Sequence, residues 1–342
     1  LTIVQHIGAS PPFTERIVTV KKPLKRIVVT HRFTAETLRS IKVPTDIIAG
    51  VSGSICKDNI LFPEFRDVPS VGHLWSPDLE VILNLNPDVV FLMAHPGMSS
   101  GSVDRAQEVL ESADITVLRF YSNCWVGRHL YPEEIRILGY IFNKENEAEE
   151  FRDWYEGVTN PIIEKAINIP DDNKPTVYFE SRKPYTIYST HIEEAGGKDI
   201  FIGLIGSAVD PEAVVARNPD IIVKIALGGD ITGYHLDAED TTEIEKVREE
   251  IMSRPELQEV KAVKTGSVYV SSIYFAAAMP SSSARNFLQL AYNAKWFHPE
   301  LFEDLDPKAI HQEYLTKFRG LGIDLDKKGV FVYHPELHPH GS

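Results

Sequence analysis

Asp78-Leu-Glu-Val-Ile-Leu-Asn-Leu-Asn-Pro-Asp-Val-Val90 and Asp210-Pro-Glu-Ala-Val-Val-Ala-Arg-Asn-Pro-Asp-Ile-Ile222 align without a gap, at a constant offset of 132 residues. Each copy opens on a helix start signal, Ser76-Pro77 in the first and Asp210-Pro211 in the second. One helical stretch follows and stops at Asn-Pro-Asp. A β-branched run of the kind that forms a buried strand comes next. An internal repeat of this kind predicts a duplicated architecture in which each copy is a helix feeding a strand.

The surroundings of the two copies read alike. Arg26 to Thr30 and Thr176 to Glu180 have the pattern of short leading strands, followed by further apolar strands near Ile47 and Ile200. Strands alternating with helices predict a mostly parallel sheet in each half. Between the halves, Glu133 to Ile169 carries a largely helical pattern interrupted at Asn143 and Pro161. Helical stretches at Ala284 to Phe297 and Pro307 to Phe318 precede a His- and Pro-bearing tail, His334 to Ser342, expected to fray. The expected fold is α/β: two Rossmann-like α/β lobes joined by one long connecting helix, with a ligand cleft between the lobes. The expected boundaries are 1–140 for the first lobe, 141–170 for the helix and 171–342 for the second lobe with its terminal helices and tail. Ligands of open α/β sheets sit beyond the carboxyl ends of the strands, so function is expected there.

Composition narrows the function classes. The chain has 342 residues, enough for about two domains, with 43% hydrophobic and 25% charged residues, near globular averages. With 35 Lys+Arg against 49 Asp+Glu the net charge is −14, which argues against nucleic acid as a partner. Apolar runs such as Val89 to Ala94 fall far short of the roughly 18–20 residues of a membrane span. Cys56 and Cys124 match neither a zinc nor a redox spacing; two thiols are preferred over one disulfide. No GxxxxGK[ST], GxGxxG or HExxH run occurs, so nucleotide hydrolysis, dinucleotide chemistry and the common zinc peptidase class lack support.

The order of several short segments carries a resemblance. These are Pro23-Leu-Lys-Arg-Ile-Val-Val29, Val71-Gly72 through Pro77-Asp78-Leu79-Glu80 to Pro87-Asp88-Val89-Val90, and Ala195-Gly196-Gly197-Lys198. They continue with Asp210-Pro211-Glu212 to Pro219-Asp220-Ile221-Ile222, then Arg254-Pro255, then Val260 to Val270. Over about residues 15–300 the chain resembles the substrate-binding proteins of ABC importers for iron-siderophore, haem and cobalamin complexes. That resemblance implies a two-lobe binder without an intrinsic cofactor, whose bound ligand is an iron or other metal complex. It implies an extracytoplasmic location, free or lipid-anchored, with the export signal absent from these residues, and a monomer working with an ABC permease dimer. Its docking glutamates fall on Glu80 and Glu212, the same position of the two copies. Two departures stand out: the chain continues well past residue 300, and Lys57 to Pro69 forms a longer loop before the first-lobe motif.

Candidate ligand contacts are polar or aromatic residues after strand-like runs. In the first half these are His31 and Arg32, then His73 and Trp75, then Tyr121 and Trp125, with His95 and Arg128 nearby. His73 is the one candidate metal ligand, by way of a bound chelate, because haem-binding relatives carry a metal-ligating side chain close to this point. In the second half the candidates are Arg182, Tyr185, Tyr188, Tyr234, His235 and Tyr274. Arg neutralises anionic ligands while phenols donate hydrogen bonds and aromatic rings stack, a mixture suited to a carboxylate- or catecholate-bearing chelate. Each residue also has a structural reading as core, cap or solvated surface.

Two rival readings have a sequence basis. Gly97-Met98-Ser99-Ser100-Gly101 satisfies the G-x-S-x-G elbow of α/β-hydrolases, with Ser99 as nucleophile and His298 or His311 as base. No oxyanion-loop signature accompanies it. A structural metal site is the other reading, from 12 His including His334, His338 and His340, whose spacing matches no fixed ligand set.

Overall fold

The computed structural model describes residues 1–7, 13–94, 101–121, 128–181, 184–186, 191–204, 206–226, 238–275 and 285–337. The chain divides into two compact units. Unit 1 comprises Leu1–Glu156 and Thr316–Leu321; unit 2 comprises Gly157–Leu315 and Gly322–Ser342.

Unit 1 contains β1 (Thr2–Ile7), β2 (Thr14–Thr19), β3 (Ile27–Val29), α1 (Arg32–Ser40), β4 (Ile48–Val51), α2 (Gly53–Cys56), β5 (Gly72–His73), β6 (Ser76–Pro77), α3 (Leu79–Leu85), β7 (Val89–Met93), α4 (Ser102–Ser112), β8 (Thr116–Phe120), α5 (Tyr131–Phe142) and the first part of α6 (Glu145–Ile167). Its main sheet runs β4-β3-β7-β8, all parallel. Unit 2 contains the rest of α6, β9 (Thr176–Glu180), β10 (Lys198–Asp199), α7 (Pro211–Arg217), β11 (Ile221–Ala226), α8 (Thr242–Met252), α9 (Lys261–Thr265), β12 (Val268–Ser272), α10 (Asn286–Phe297), α11 (Pro307–Glu313) and β13 (Val332–Tyr333). Its sheet runs β10-β9-β11-β12-β13, parallel except for β13.

The repeated motif builds equivalent pieces of the two units for identifiable reasons. Asp78 caps α3 by accepting from Val81 N (3.1 Å), and Asp210 caps α7 by accepting from Glu212 N (2.9 Å). Asn86 and Asn218 end these helices in the left-handed region, at φ 45° and 43°, a conformation that Asn tolerates and most residues do not. Pro then prevents continuation. Asp88 Oδ2 accepts from the backbone of Lys25 and Arg26 (2.6 and 2.8 Å), and Asp220 Oδ2 accepts from Thr176 N (2.8 Å), so each Asp ties its strand to the leading strand beside it. Ile82 and Val214, equivalent across the offset, are both fully buried, each contributing about 1.5–3 kcal/mol.

Asn143 ends α5 at φ 53°, as its position in the sequence suggests. Pro161 does not interrupt α6, whose later turns bury Ile162 and Ala166; packing on that side outweighs the lost backbone bond. The unit boundary falls inside α6. The tail differs from the expected frayed end. His334 is buried, its Nε2 meets Gly266 O at 3.0 Å, and its ring stacks on Tyr269 at 4.4 Å, so the chain is docked at least to there. Residues 338–342, including His338 and His340, lie outside the described residues.

Thr316–Leu321 joins unit 1 although its flanks belong to unit 2. Phe318 packs on Phe151 (5.0 Å) and Trp154 (4.7 Å). Arg319, 1% exposed, pairs with the fully buried Glu36 at 3.2 Å and donates to Leu61 O at 3.0 Å.

Candidate functional site

In unit 1 the chain moves from β3 to β4 on one side, then returns to β7 on the other. In unit 2 it moves from β9 to β10, then returns to β11. Each reversal is a topological switch point, where loops diverge and leave a crevice at the strand carboxyl ends. The loops there begin at Thr30 and Ala94 in unit 1 and, after β9, at Ser181 in unit 2.

At the unit 1 switch point His31 stands at the N-terminal boundary of α1 and is buried, its ring edge-on to Phe33 at 4.3 Å. Arg32 is also buried. It ion-pairs with Asp58, donates to Ser54 O (2.6 Å) and lies over the Phe62 ring at 5.2 Å. Arg39 adds a second clamp on this loop, donating to Leu61 O (3.0 Å) and to Glu64 (2.9 Å), while Arg319 reaches the same Leu61 O. The two departures noted in the sequence, the long 57–69 loop and the chain beyond residue 300, thus meet in unit 1.

The loop leads into the β5–β6 hairpin. His73 is exposed at its turn, and its Nδ1 accepts from Trp75 N at 3.2 Å. Trp75 is half-buried against the cluster around Val71, Ile82 and Val90. Gly72 at φ 83° is required here, since a Cβ would stand 2.9 Å from Asp78 N. Gly53, Ser54, Lys57, Ser70, Gly72 and His73 line a shallow depression of about 410 Å³. Tyr121 is fully buried, packed against Phe13 at 5.5 Å, with its N–H donating to Glu134 (2.7 Å). Trp125, His95 and the side chain of Arg128 lie outside the described residues, as do Ser99 and Cys124. Cys56 carries a free thiol.

At the unit 2 switch point a buried ionic network occupies the ends of β9 and β11. Glu180, fully buried, accepts from Lys224 Nζ (2.5 Å), Arg254 Nη1 and Nη2 (2.8 Å each), Tyr178 Oη (3.0 Å) and Tyr185 N (2.8 Å). Burial pushes the Glu180 carboxyl up, but the hydrogen bonds from Arg254 and the charges of Lys224 and Arg254 prevail and hold it below its usual value. Lys224 also donates to Ser181 O (2.7 Å), and Arg254 is shared with Glu250 (2.8 Å). The network therefore fixes both ends of the turn carrying Tyr185. That tyrosine stands at φ 53°, under the Arg254 guanidinium at 4.8 Å, with its hydroxyl donating to Glu256. A lone Lys in the apolar run Ile221 to Ala226 and a Glu ending Thr176 to Glu180 are the sequence signals for this network, but their partner Arg254 is distant in the chain.

Tyr274 is buried under the Arg285 guanidinium at 3.5 Å, with His311 Nε2 3.4 Å from its hydroxyl. His298, the other residue proposed as a hydrolytic base, meets Gly196 O at 2.9 Å. Arg182, Tyr188, Tyr234 and His235 lie outside the described residues. Glu80 and Glu212 are both exposed in the first turns of α3 and α7. Among the described residues no three His, Cys, Asp or Glu side chains form a group able to hold a metal ion, and no helix is long and apolar enough to cross a membrane.

The two units share a parallel α/β plan with one switch point each, an arrangement that places ligands at strand ends. The periplasmic binding protein family matches residues 27–272, and the chain belongs to that family. Among solved structures it is similar to the TroA-like periplasmic binding protein FepB from Veillonella parvula, at 23% identity over 93% of this chain and 97% of that one, with a TM-score of 0.74. It is similar to the molybdate periplasmic binding protein MolA of a Haemophilus influenzae ABC transporter, at 20% identity, 89% and 95% coverage and a TM-score of 0.65. It is also similar to CeuE of Helicobacter pylori in its Ni-His complex, at 18% identity, 94% and 97% coverage and a TM-score of 0.63. No curated protein sequence matches the chain. The family is extracytoplasmic, works with ABC permeases, and carries small-molecule ligands rather than cofactors; its members here are solute-binding proteins, not enzymes.

Proposed function

We propose that this chain is the substrate-binding component of an ABC importer, capturing a metal chelate of ferric-siderophore, haem or cobalamin type and delivering it to the permease without chemical change. The carrying observation is the twofold use of one motif: each unit has a switch point at its strand ends and an exposed Glu at the same helical position, Glu80 and Glu212. The similar structures add support, since MolA is named with molybdate and CeuE with Ni-His, both small metal-bearing ligands.

The residues proposed to form the ligand site are His31, Arg32, His73, Trp75, Tyr121 and Trp125 in unit 1 and Arg182, Tyr185, Tyr188, Tyr234, His235 and Tyr274 in unit 2. Of the described ones, His73, Trp75 and Tyr185 have exposed or half-buried side chains able to touch a ligand directly, whereas His31, Arg32, Tyr121 and Tyr274 are buried and act by shaping the loops. Glu80 and Glu212 are the proposed docking carboxylates. Each can accept paired bonds from a permease arginine. The protein works as a monomer.

The test is the double variant Glu80→Ala with Glu212→Ala. Ligand affinity stays at the wild-type value while uptake by cells carrying the importer is abolished. Uptake at the wild-type rate, or a loss of affinity, would overturn the docking assignment.

A further inference from the structure

The depression beside the β5–β6 hairpin has a chemical character of its own. Its lining residues are Gly53, Ser54, Lys57, Ser70, Gly72 and His73, and none is a carboxylate. Lys57 is exposed and has no ion-pair partner among the described residues. Ser54 and Ser70 add hydroxyl groups. The nearest acid in sequence, Asp58, is buried and engaged by Arg32. Both glycines are tightly placed: a Cβ on Gly53 would approach Ser70 Oγ to 3.2 Å, and one on Gly72 would meet the backbone of Asp78.

The state of His73 decides what this surface offers. Its Nδ1 lone pair accepts from Trp75 N at 3.2 Å. In the neutral imidazole one ring nitrogen accepts and the other carries the proton, so Nε2 presents an N–H. Coordination of a metal by Nε2 would require loss of that proton while Nδ1 still accepts, or rupture of the hairpin bond. The ring is therefore set as a hydrogen-bond donor. With an ammonium and two hydroxyls alongside, it suits anionic oxygen.

We propose that this depression seats the anionic oxygens of the ligand, carboxylate, phenolate or oxyanion, with Lys57 as counter-charge and His73 as Nε2–H donor rather than metal ligand. The assignment rests on the carrier function proposed above and narrows its substrate class. It places the metal away from His73, enclosed by the chelator's own oxygens or by those of an oxyanion.

The experiment uses the full chain labelled with ¹⁵N. Long-range proton–nitrogen correlation of the His73 ring reports its tautomer, before and after addition of molybdate, ferric citrate or nickel chloride. Affinities for the same three are measured for wild type, Lys57→Met, His73→Gln and His73→Ala. The expected tautomer is Nε2–H, and the free oxyanion or the carboxylate chelate perturbs that nitrogen; which of the two does so identifies the source of the oxygens. Lys57→Met and His73→Ala each weaken that binding about 10-fold or more, the loss of one charge-assisted bond. His73→Gln, which keeps a donor, retains more affinity than His73→Ala. The Nδ1–H tautomer, or nickel binding that His73→Ala abolishes, would overturn the assignment. Tight binding of an anion with affinity unchanged in all three variants would overturn the seat and leave the carrier function standing. No binding of any of the three, together with no adduct in a wider chelate panel, would remove both.

Discussion

Replacing Glu180 by Gln keeps the side chain's shape and removes the one negative charge lying between Lys224 and Arg254. Glu180 is fully buried, and Lys224 and Arg254 are 4% and 7% exposed, so water cannot take over the lost interactions. The Gln amide would also turn two donors toward Lys224 Nζ or Arg254, which stand 2.5 and 2.8 Å from the carboxylate. Breaking a buried ion pair by removing one partner costs about 3–5 kcal/mol. For a unit of this size that lowers Tm by roughly 6–20 °C. Differential scanning calorimetry at pH 7 reads the loss, and hydrogen exchange at the Tyr185 amide reads its local origin. The triple replacement Glu180→Leu, Lys224→Met, Arg254→Met removes all three charges and recovers much of the stability. The pH dependence has a definite sign. The folded carboxyl titrates below its unfolded value, so its stabilisation is complete above about pH 4.5 and is lost as pH falls through the folded pKa. A Tm drop under about 2 °C for Glu180→Gln, worth less than about 1 kcal/mol, would refute the view that this network holds the switch point.

Other perturbations follow from the same geometry. Arg319→Met leaves Glu36 buried without its cation; it destabilises unit 1 by about 3–5 kcal/mol and speeds amide exchange at Leu61–Phe65, and adding Glu36→Leu restores much of the loss. His311 is held well below the usual histidine value, first by burial and then by the Arg285 charge. The unfolded chain therefore binds the extra proton, and stability falls as pH drops below about 6.5, by up to about 1.4 kcal/mol per pH unit. His311→Phe flattens that slope in urea titrations at stepped pH.

The repeat was the most legible part of the sequence because its signals are local. The helix starts and the Asn-Pro-Asp stops act within a few residues, and the structure ends both helices at Asn86 and Asn218; the ties of Asp88 and Asp220 to the leading strands come from pairing across the sheet. The antiparallel hairpin β1–β2 was not read, since Thr2–Ile7 lacks clean alternation and is specified by cross-chain bonds such as Gln5 Nε2 to Arg119 O at 2.7 Å. The return of Thr316–Leu321 to unit 1 was equally hidden. It depends on Arg319 finding Glu36 and Leu61, partners more than 250 positions away in the chain. At the site, strand-end position draws attention to His31, Arg32 and Tyr274, but their burial follows from tertiary packing that no local pattern encodes. Lys57, Ser54 and Ser70 are silent in the sequence because single polar residues in a loop carry no pattern until the hairpin brings them beside His73.

Native mass spectrometry of the chain mixed with ferric siderophores, haem, cobalamin and simple metal salts tests the carrier function most directly. The expected result is a single one-to-one adduct with one metal-bearing ligand. No adduct with any of them, together with ester hydrolysis abolished by Ser99→Ala, would contradict it.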